Sequence, residues 1–226
     1  MCITTMGLCY VFETYKSLFP TFTYTIMSGM DTTFDFGTII TAIENRYCKL
    51  SEDCIAALPL HFKLMPASKD TKLVKEGQYA DKTYYIIQGC VRAFYVKDGK
   101  EITDWFAFEN EFVCSIHSFF NNVPSPHYIE VLEDSLLLEI NRANAQLLSD
   151  KYHNFERLQK KVVVHTLLKL QNRVESLLFE TASNRYKSLL TTQPDITQRV
   201  PLTHIASHLG ITLETLSRIR NPKYGI

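Results

Sequence analysis

Between Phe62 and about Ile140 the chain alternates aromatic and β-branched residues with polar ones, and glycines interrupt the alternation at short intervals. In the stretch "LVKEGQYADKTYYIIQGCVRAFYVKDGKEITDWFAF" the breaks fall at Gly77 and Gly89. The pair Asp98–Gly99 is a two-residue hairpin signal, because both central positions of a type I′ turn need φ > 0. "YIEVLEDSLLLEI" adds two further strands, joined at Glu133–Asp134. A period of two, repeated over so many short segments, limits this region to an antiparallel barrel or sandwich of about eight strands.

Helical periodicity lies on both sides. Residues 34–60 place Ile39, Ile40, Ile43, Tyr47 and Leu50 on one face, and "LSEDCIAALP" opens a second short helix. After Asn141 the helical period returns. Residues 151–180 form one long amphipathic stretch whose stripe is Phe155, Leu158, Val162, His165 and Leu168, continued at Gln171 or Asn172. It exceeds the typical helix of about 11–12 residues, and its apolar stripe suits burial against a second copy. We read it as a dimer seam; the competing arrangement packs the helix wholly on its own barrel. Residues 183–190 form a further helix, and "TTQPDITQRV" is a loop.

The segment from Val200 to Arg220 reads as two helices about a tight turn. The first runs from Leu202 to Leu209, buries Leu202, Ile205, Ala206 and Leu209, and has Thr203 as the capping residue at its start. Gly210 supplies the turn, where a residue without Cβ takes φ > 0 cheaply. Thr212 caps the second helix, with Leu213, Leu216 and Ile219 as its apolar surface. Its polar face holds Thr212, Glu214, Thr215, Ser217, Arg218 and Arg220. Short hydroxyls and forked guanidinium groups are the chemistry that bonds phosphates and guanine edges in a major groove.

Apolar residues make up 46% of the 226 and charged residues 21%, a composition that excludes a disordered chain. A formal charge of zero conceals a division: residues 151–226 hold 12 Lys and Arg against 5 Asp and Glu, which leaves 12 against 19 in residues 1–150. A basic module joined to an acidic one is expected, and the helix pair lies in the basic part. Cys2, Cys9, Cys48, Cys54, Cys90 and Cys114 form no CxxC pair and no zinc spacing, so reduced thiols in a cytoplasmic protein are expected. No stretch has the length of a membrane span. Residues 1–30 carry Lys16 as their single basic residue and make a poor signal peptide. Since Met27 and Met30 precede what reads as a domain start, we take residues 1–30 as an extension, with residues 1–26 from a mis-called upstream start.

Two segments resemble the Crp–Fnr family of bacterial transcription regulators. Val74, Gly77, Ala80, Tyr84, Tyr85, Ile86, Gly89 and Val91 fit its cyclic-nucleotide-binding-domain pattern. Ile205, Ala206, Leu209, Gly210, Thr212, Glu214, Thr215, Ser217 and Arg218 fit its DNA-reading helices. The resemblance extends from about residue 34 to residue 220. It implies an α+β fold: a jelly-roll sensor domain with flanking helices at 31–150, a long dimerisation helix at 151–182, and a winged-helix-type helix-turn-helix at 183–226. It also implies double-stranded DNA, a second copy of the chain and RNA polymerase as partners, with no membrane association.

The family's phosphate-binding cassette, a Gly-Glu pair followed by Arg-Ser-Ala, corresponds here to Phe108–Leu132. Glu111 matches the glutamate, but Asn110 replaces the glycine, and Ser125, Pro126 and His127 replace the arginine triplet. The guanidinium is missing and Pro126 removes a backbone donor, which argues against cyclic AMP or GMP. An unidentified small effector is expected near Trp105, Phe106, Phe108, Glu111, Phe112, His117, Ser125, His127 and Tyr128. These aromatics serve equally as core. On the DNA side the expected contacts are Thr203, Thr212, Leu213, Glu214, Thr215, Ser217, Arg218 and Arg220, with Leu213 standing where many members carry an arginine. Pro222 is expected to stop the second helix early. The alternative reading is a ligand-binding roll that no longer grips DNA. Without paired catalytic carboxylates, a phosphate loop, a nucleophile motif or a His-x-His metal pair, the expectation is a non-enzyme with no metal.

Overall fold

The computed structural model describes residues 21–25 and 31–221. The reading of residues 1–20 and 26–30 as an upstream extension falls outside them, as does Pro222. Strands β1 (Thr21–Thr25) and β2 (Asp31–Asp35) pair antiparallel with Thr21 opposite Asp35. Asp35 then caps α1 (Phe36–Arg46) by accepting from Gly37 N and Thr38 N, and Ser51 caps α2 (Glu52–His61) through Cys54 N.

Eight strands follow: β3 (Lys63–Ala67), β4 (Lys72–Val74), β5 (Lys82–Gln88), β6 (Val91–Lys97), β7 (Lys100–Ala107), β8 (Phe112–Cys114), β9 (Tyr128–Val131) and β10 (Ser135–Asn141), with α3 (Ile116–Asn121) between β8 and β9. They form two antiparallel sheets of four, in the orders β3-β10-β5-β8 and β4-β9-β6-β7. The hairpin at Asp98–Gly99 has positive φ at both residues (52° and 70°), as a type I′ turn requires. Val74, Ile86, Val91, Ala93, Ile129 and Leu137 fill the space between the sheets.

Alternate residues leave the roll on its outer faces, and each face carries a different helical layer. Tyr85, Leu138 and Ile140 meet α1, α2, α4 (Arg142–Lys151) and the start of α5 (His153–Phe179). Cys90, Phe106, Phe108 and Leu132 meet the C-terminal unit of α6 (Ala182–Thr192), α7 (Ile196–Arg199), α8 (Leu202–His208) and α9 (Leu213–Arg220). These continuous apolar strands are thus buried on both sides. Among the described residues no strand follows β10.

The long helix corrects one expectation. Phe155 (3% exposed) and Leu158 (4%) pack into the roll's own helical layer, joined at the margin by Val162. They are not on an open seam. His165 faces Tyr47, just past the end of α1, with ring centroids 5.8 Å apart. From Leu168 on, through Gln171 and Asn172, that stripe is exposed. α5 carries a second apolar stripe, Val164, Leu167, Val174 and Leu178, which is exposed throughout. At 100° per residue it points nearly opposite to the first. Periodicity alone singled out the first stripe, and tertiary packing buries its start and leaves the second exposed.

Candidate nucleic-acid interface and pocket

α8 and α9 cross at Ala206, whose small side chain lets Ile205 and Leu216 (both fully buried) come together. Gly210 between them has φ +68°. Thr212 caps α9 through the amide of Thr215 at 3.3 Å, and its hydroxyl lies 3.2 Å from that of Thr215. Thr203 does not cap α8. Pro201 occupies that position without a side-chain bond, and Thr203 lies inside the helix. With Leu216 anchored, α9 turns Leu213, Glu214, Ser217, Arg218 and Arg220 outward, while Thr215 is half-buried. Thr203 and Thr212 are exposed beside them. Of the eight residues expected to read DNA, seven are thus exposed and Thr215 is half-buried. Glu214 is held below the usual carboxylate range by its own backbone amide at the helix start, by Thr212 and by Arg218.

The expected effector residues separate into two places. Ser125 and His127 lie inside the roll, where the Ser115 hydroxyl donates to Ser125 Oγ at 2.8 Å and Ser125 Oγ donates to the His127 carbonyl at 2.7 Å. The His127 ring is buried edge-on between Tyr95 (5.3 Å) and Trp105 (5.5 Å), and neither ring nitrogen has a hydrogen-bond partner among the described residues. Burial, with His117 nearby, pushes its pKa down to about 4, so the ring is neutral at pH 7. Tyr128 stacks on Phe94 at 5.0 Å, and His117 is exposed on α3.

Glu111 is not among them. Its turn between β7 and β8 sends the carboxylate to the outside of the roll, where Arg46 meets it at 2.8 Å and Lys169 at 3.0 Å. There, together with Trp105, Phe106, Phe108 and Phe112, it lines a cleft of about 880 Å³ between the roll, α5 and α6. The match of Glu111 to the cassette glutamate thus gives way to a role bridging the roll to α1 and α5. A turn residue's side chain can leave by either face of the sheet, and spacing alone does not choose.

Sequence reasoning missed how firmly the C-terminal unit sits on the roll. Arg92 of β6, 1% exposed, bonds Glu130, Glu101 (2.6 Å) and His204 of α8 (2.8 Å). Ser207 Oγ accepts from the Thr103 amide at 2.9 Å, and Arg199 of α7 reaches Glu109 at 2.6 Å and Glu133. The available signal was the polar set His204, Ser207 and His208 at spacing i, i+3, i+4, a second stripe beside the apolar face of α8. Burial raises the thiols of Cys90 and Cys114, the latter to about 12, which disfavours the reactive thiolate. Glu101, Glu130 and His204 converge closely enough to suggest a metal, but Arg92 is hydrogen-bonded to all three.

The cyclic nucleotide-binding domain model matches residues 65–152. Among solved structures, a Crp/Fnr-family regulator from Eubacterium rectale aligns with TM-score 0.60 and 17% identity, covering 75% of this chain and 82% of that one. The c-di-GMP-responsive regulator CLP of Xanthomonas campestris aligns with TM-score 0.58 and 20% identity, covering 75% and 89%. A variant of CooA from Carboxydothermus hydrogenoformans gives 0.58 and 21%, covering 72% and 76%. No curated protein matches the chain in sequence. The resemblance to Crp–Fnr regulators thus holds at the level of the fold, roll and C-terminal helices together. Among the described residues no helix is long and apolar enough to cross a membrane.

Proposed function

We propose that this chain, with the fold of the Crp–Fnr transcription regulators, reads duplex DNA as a dimer and answers to a small effector. The observation that carries the proposal is α9. Leu216 locks it into the core of its unit, while Thr212, Leu213, Glu214, Ser217, Arg218 and Arg220 remain exposed. In this reading Arg218 donates to a guanine edge, Glu214 accepts from a cytosine amine, and Leu213 meets a thymine methyl. Thr203, Thr212 and Ser217 bond phosphates. Two copies joined through the exposed stripe of α5 present two such helices to the half-sites of a pseudo-palindrome. RNA polymerase, in the cytoplasm, is the partner such a regulator addresses.

The roll interior does not favour a cyclic nucleotide. The positions aligned with the arginine triplet hold Ser125, exposed Pro126 and neutral His127, none of which neutralises a phosphate. The chain acts as a binder and not as a catalyst.

Selection of bound duplexes from a randomised pool at two salt concentrations tests the reading. The expected result is a two-fold-symmetric site whose affinity falls steeply with salt. Recovery of no sequence returns the chain to the class of ligand-binding rolls that have lost DNA.

A further inference from the structure

The cleft between the roll and the long helix has the size of a small-molecule site, 880 Å³ against roughly 300–1,000 Å³ for ligand pockets generally. It exists because α5 leaves the roll partway along its length. Phe155 and Leu158 are buried, but beyond Val162 no residue of α5 is. Of the exposed stripe, Leu167 reaches the rim of the cleft, whereas Val164 and Val174 are not on its wall, so the body of the cleft lies away from the face through which two copies would join.

Its wall has a marked chemistry. The body is apolar and aromatic, with Tyr47, Phe106, Phe108, Phe112 and Leu189. The charged groups on it are Arg46, Lys169, Arg173 and Arg185 against Glu111 alone. Arg173 and Arg185 are committed elsewhere: Arg173 to the His208 carbonyl (2.8 Å), Arg185 to the Leu209 carbonyl (2.9 Å). Arg46 and Lys169 share one carboxylate. Glu111 accepts from Arg46 at 2.8 Å, from Lys169 at 3.0 and 3.2 Å, and from the Phe108 amide at 3.1 Å. The carboxylate is fully engaged, and among the described residues one positive charge of the pair is left without a counter-ion on the wall of the cleft. The two histidines on the wall add no charge, for burial and the neighbouring cations hold both down, His208 to about 3.

We infer that this cleft binds an amphipathic organic anion, a hydrophobic monocarboxylate whose apolar body lies along the phenylalanines and whose carboxylate sits between Arg46 and Lys169. The carboxylate supplies the charge that Glu111 leaves unbalanced, in a partly desolvated place where such a pairing is stronger than in water. Bound there, the anion ties α1 to the distal half of α5, the helix from which the C-terminal unit continues. The inference rests on the sensory half of the proposed function and is independent of DNA reading.

The test uses the full chain, with 8-anilinonaphthalene-1-sulfonate as a fluorescent probe and decanoate and decanol as competitors. Saturable probe binding, displaced by decanoate at least tenfold more effectively than by decanol, is the expected result. Lys169→Met combined with Arg46→Met is expected to weaken decanoate tenfold or more and to abolish its preference over decanol. Thr166→Trp, which lines the cleft and touches neither ion pair, is expected to reduce both competitors, and it carries the test if the double variant does not fold. Equal displacement by decanol, no saturable binding, or a folded Thr166→Trp protein that binds as the parent does would each overturn the inference. DNA selection, run separately, stays interpretable in every case.

Discussion

The buried guanidinium of Arg92, on β6 of the roll, donates to Nδ1 of His204, on the first helix of the helix-turn-helix, across 2.8 Å. A guanidinium has no acceptor and stays protonated, so Nδ1 must accept and the ring proton resides on Nε2. Arg92 is at the same time held by Glu130 and Glu101. The C-terminal helical unit is therefore docked on the roll by a polar network, with the apolar contacts of Phe106, Ile205 and Leu209 beside it.

Arg92→Met removes the centre of that network. Glu130, 6% exposed, retains Lys72 at 3.2 Å as its cation among the described residues. Truncating one partner of a buried ion pair costs about 3–5 kcal/mol, whereas replacing both by apolar groups is often neutral. Because Lys72 still offsets part of the Glu130 charge, urea unfolding is expected to show a loss at or below the lower end of that range for Arg92→Met and partial recovery in Arg92→Met/Glu130→Met. Equal losses in the single and double variants would remove the uncompensated charge as the cause.

The two stripes of α5 separate association from folding. Leu167→Glu with Val174→Glu places charge on the exposed stripe and is expected to yield a monomer in sedimentation velocity, with an unchanged far-ultraviolet spectrum. Phe155→Ala opens a cavity in the layer that covers the roll and is expected to cost about 3–5 kcal/mol, with the state of association unchanged at temperatures where the chain is folded. A reversal of these outcomes would restore Phe155 and Leu158 to the seam.

What the amino-acid order disclosed was local. The Asp98–Gly99 hairpin, the Thr212 cap and the Gly210 turn each depend on two or three neighbouring residues, and each is where the pattern put it. Choices between faces were not legible. Phe155 and Leu167 belong to stripes of one period, and only the packed roll decides which is covered. The basic C-terminal part was visible as charge but not as destination. Lys169, Arg173 and Arg199 pair with Glu111, Asp104 and Glu109 of the roll, so a share of the asymmetry holds two units together, while Arg218 and Arg220 stay exposed. Glu111 followed the same rule: the cassette pattern marked it out, and the side of the sheet it serves was not legible.

Gly89, at the turn from β5 to β6, admits no side chain. Its φ is +118°, and an added Cβ would lie 1.9 Å from Ser135 Oγ and 3.0 Å from Ser135 Cα. Gly89→Ala is expected to destabilise by more than about 2 kcal/mol, since backbone strain and overpacking act together. Adding Ser135→Gly relieves the clash with the side chain but leaves both the strained φ and the close approach to the backbone of residue 135, so a partial recovery in urea unfolding is expected. Full recovery would assign the whole penalty to the serine side chain.

His127 sets a pH dependence whose sign follows from its burial. Its pKa falls from 6.5 to about 4 on folding, so the unfolded chain binds the proton more tightly. The stability contributed by keeping the ring neutral is complete above pH 6.5 and is lost as pH falls from there towards 4. A displacement of this size corresponds to about 3 kcal/mol. His127→Phe keeps an aromatic ring between Tyr95 and Trp105 but does not titrate, and it removes two ring nitrogens that have no partner. At pH 7 the variant is expected to gain about 1–2 kcal/mol, because an unsatisfied buried polar group is replaced by an apolar one. Unfolding free energies for parent and variant should then diverge further between pH 6.5 and 4. Parallel profiles across that interval would mean that the His127 ring finds a proton acceptor or water inside the roll.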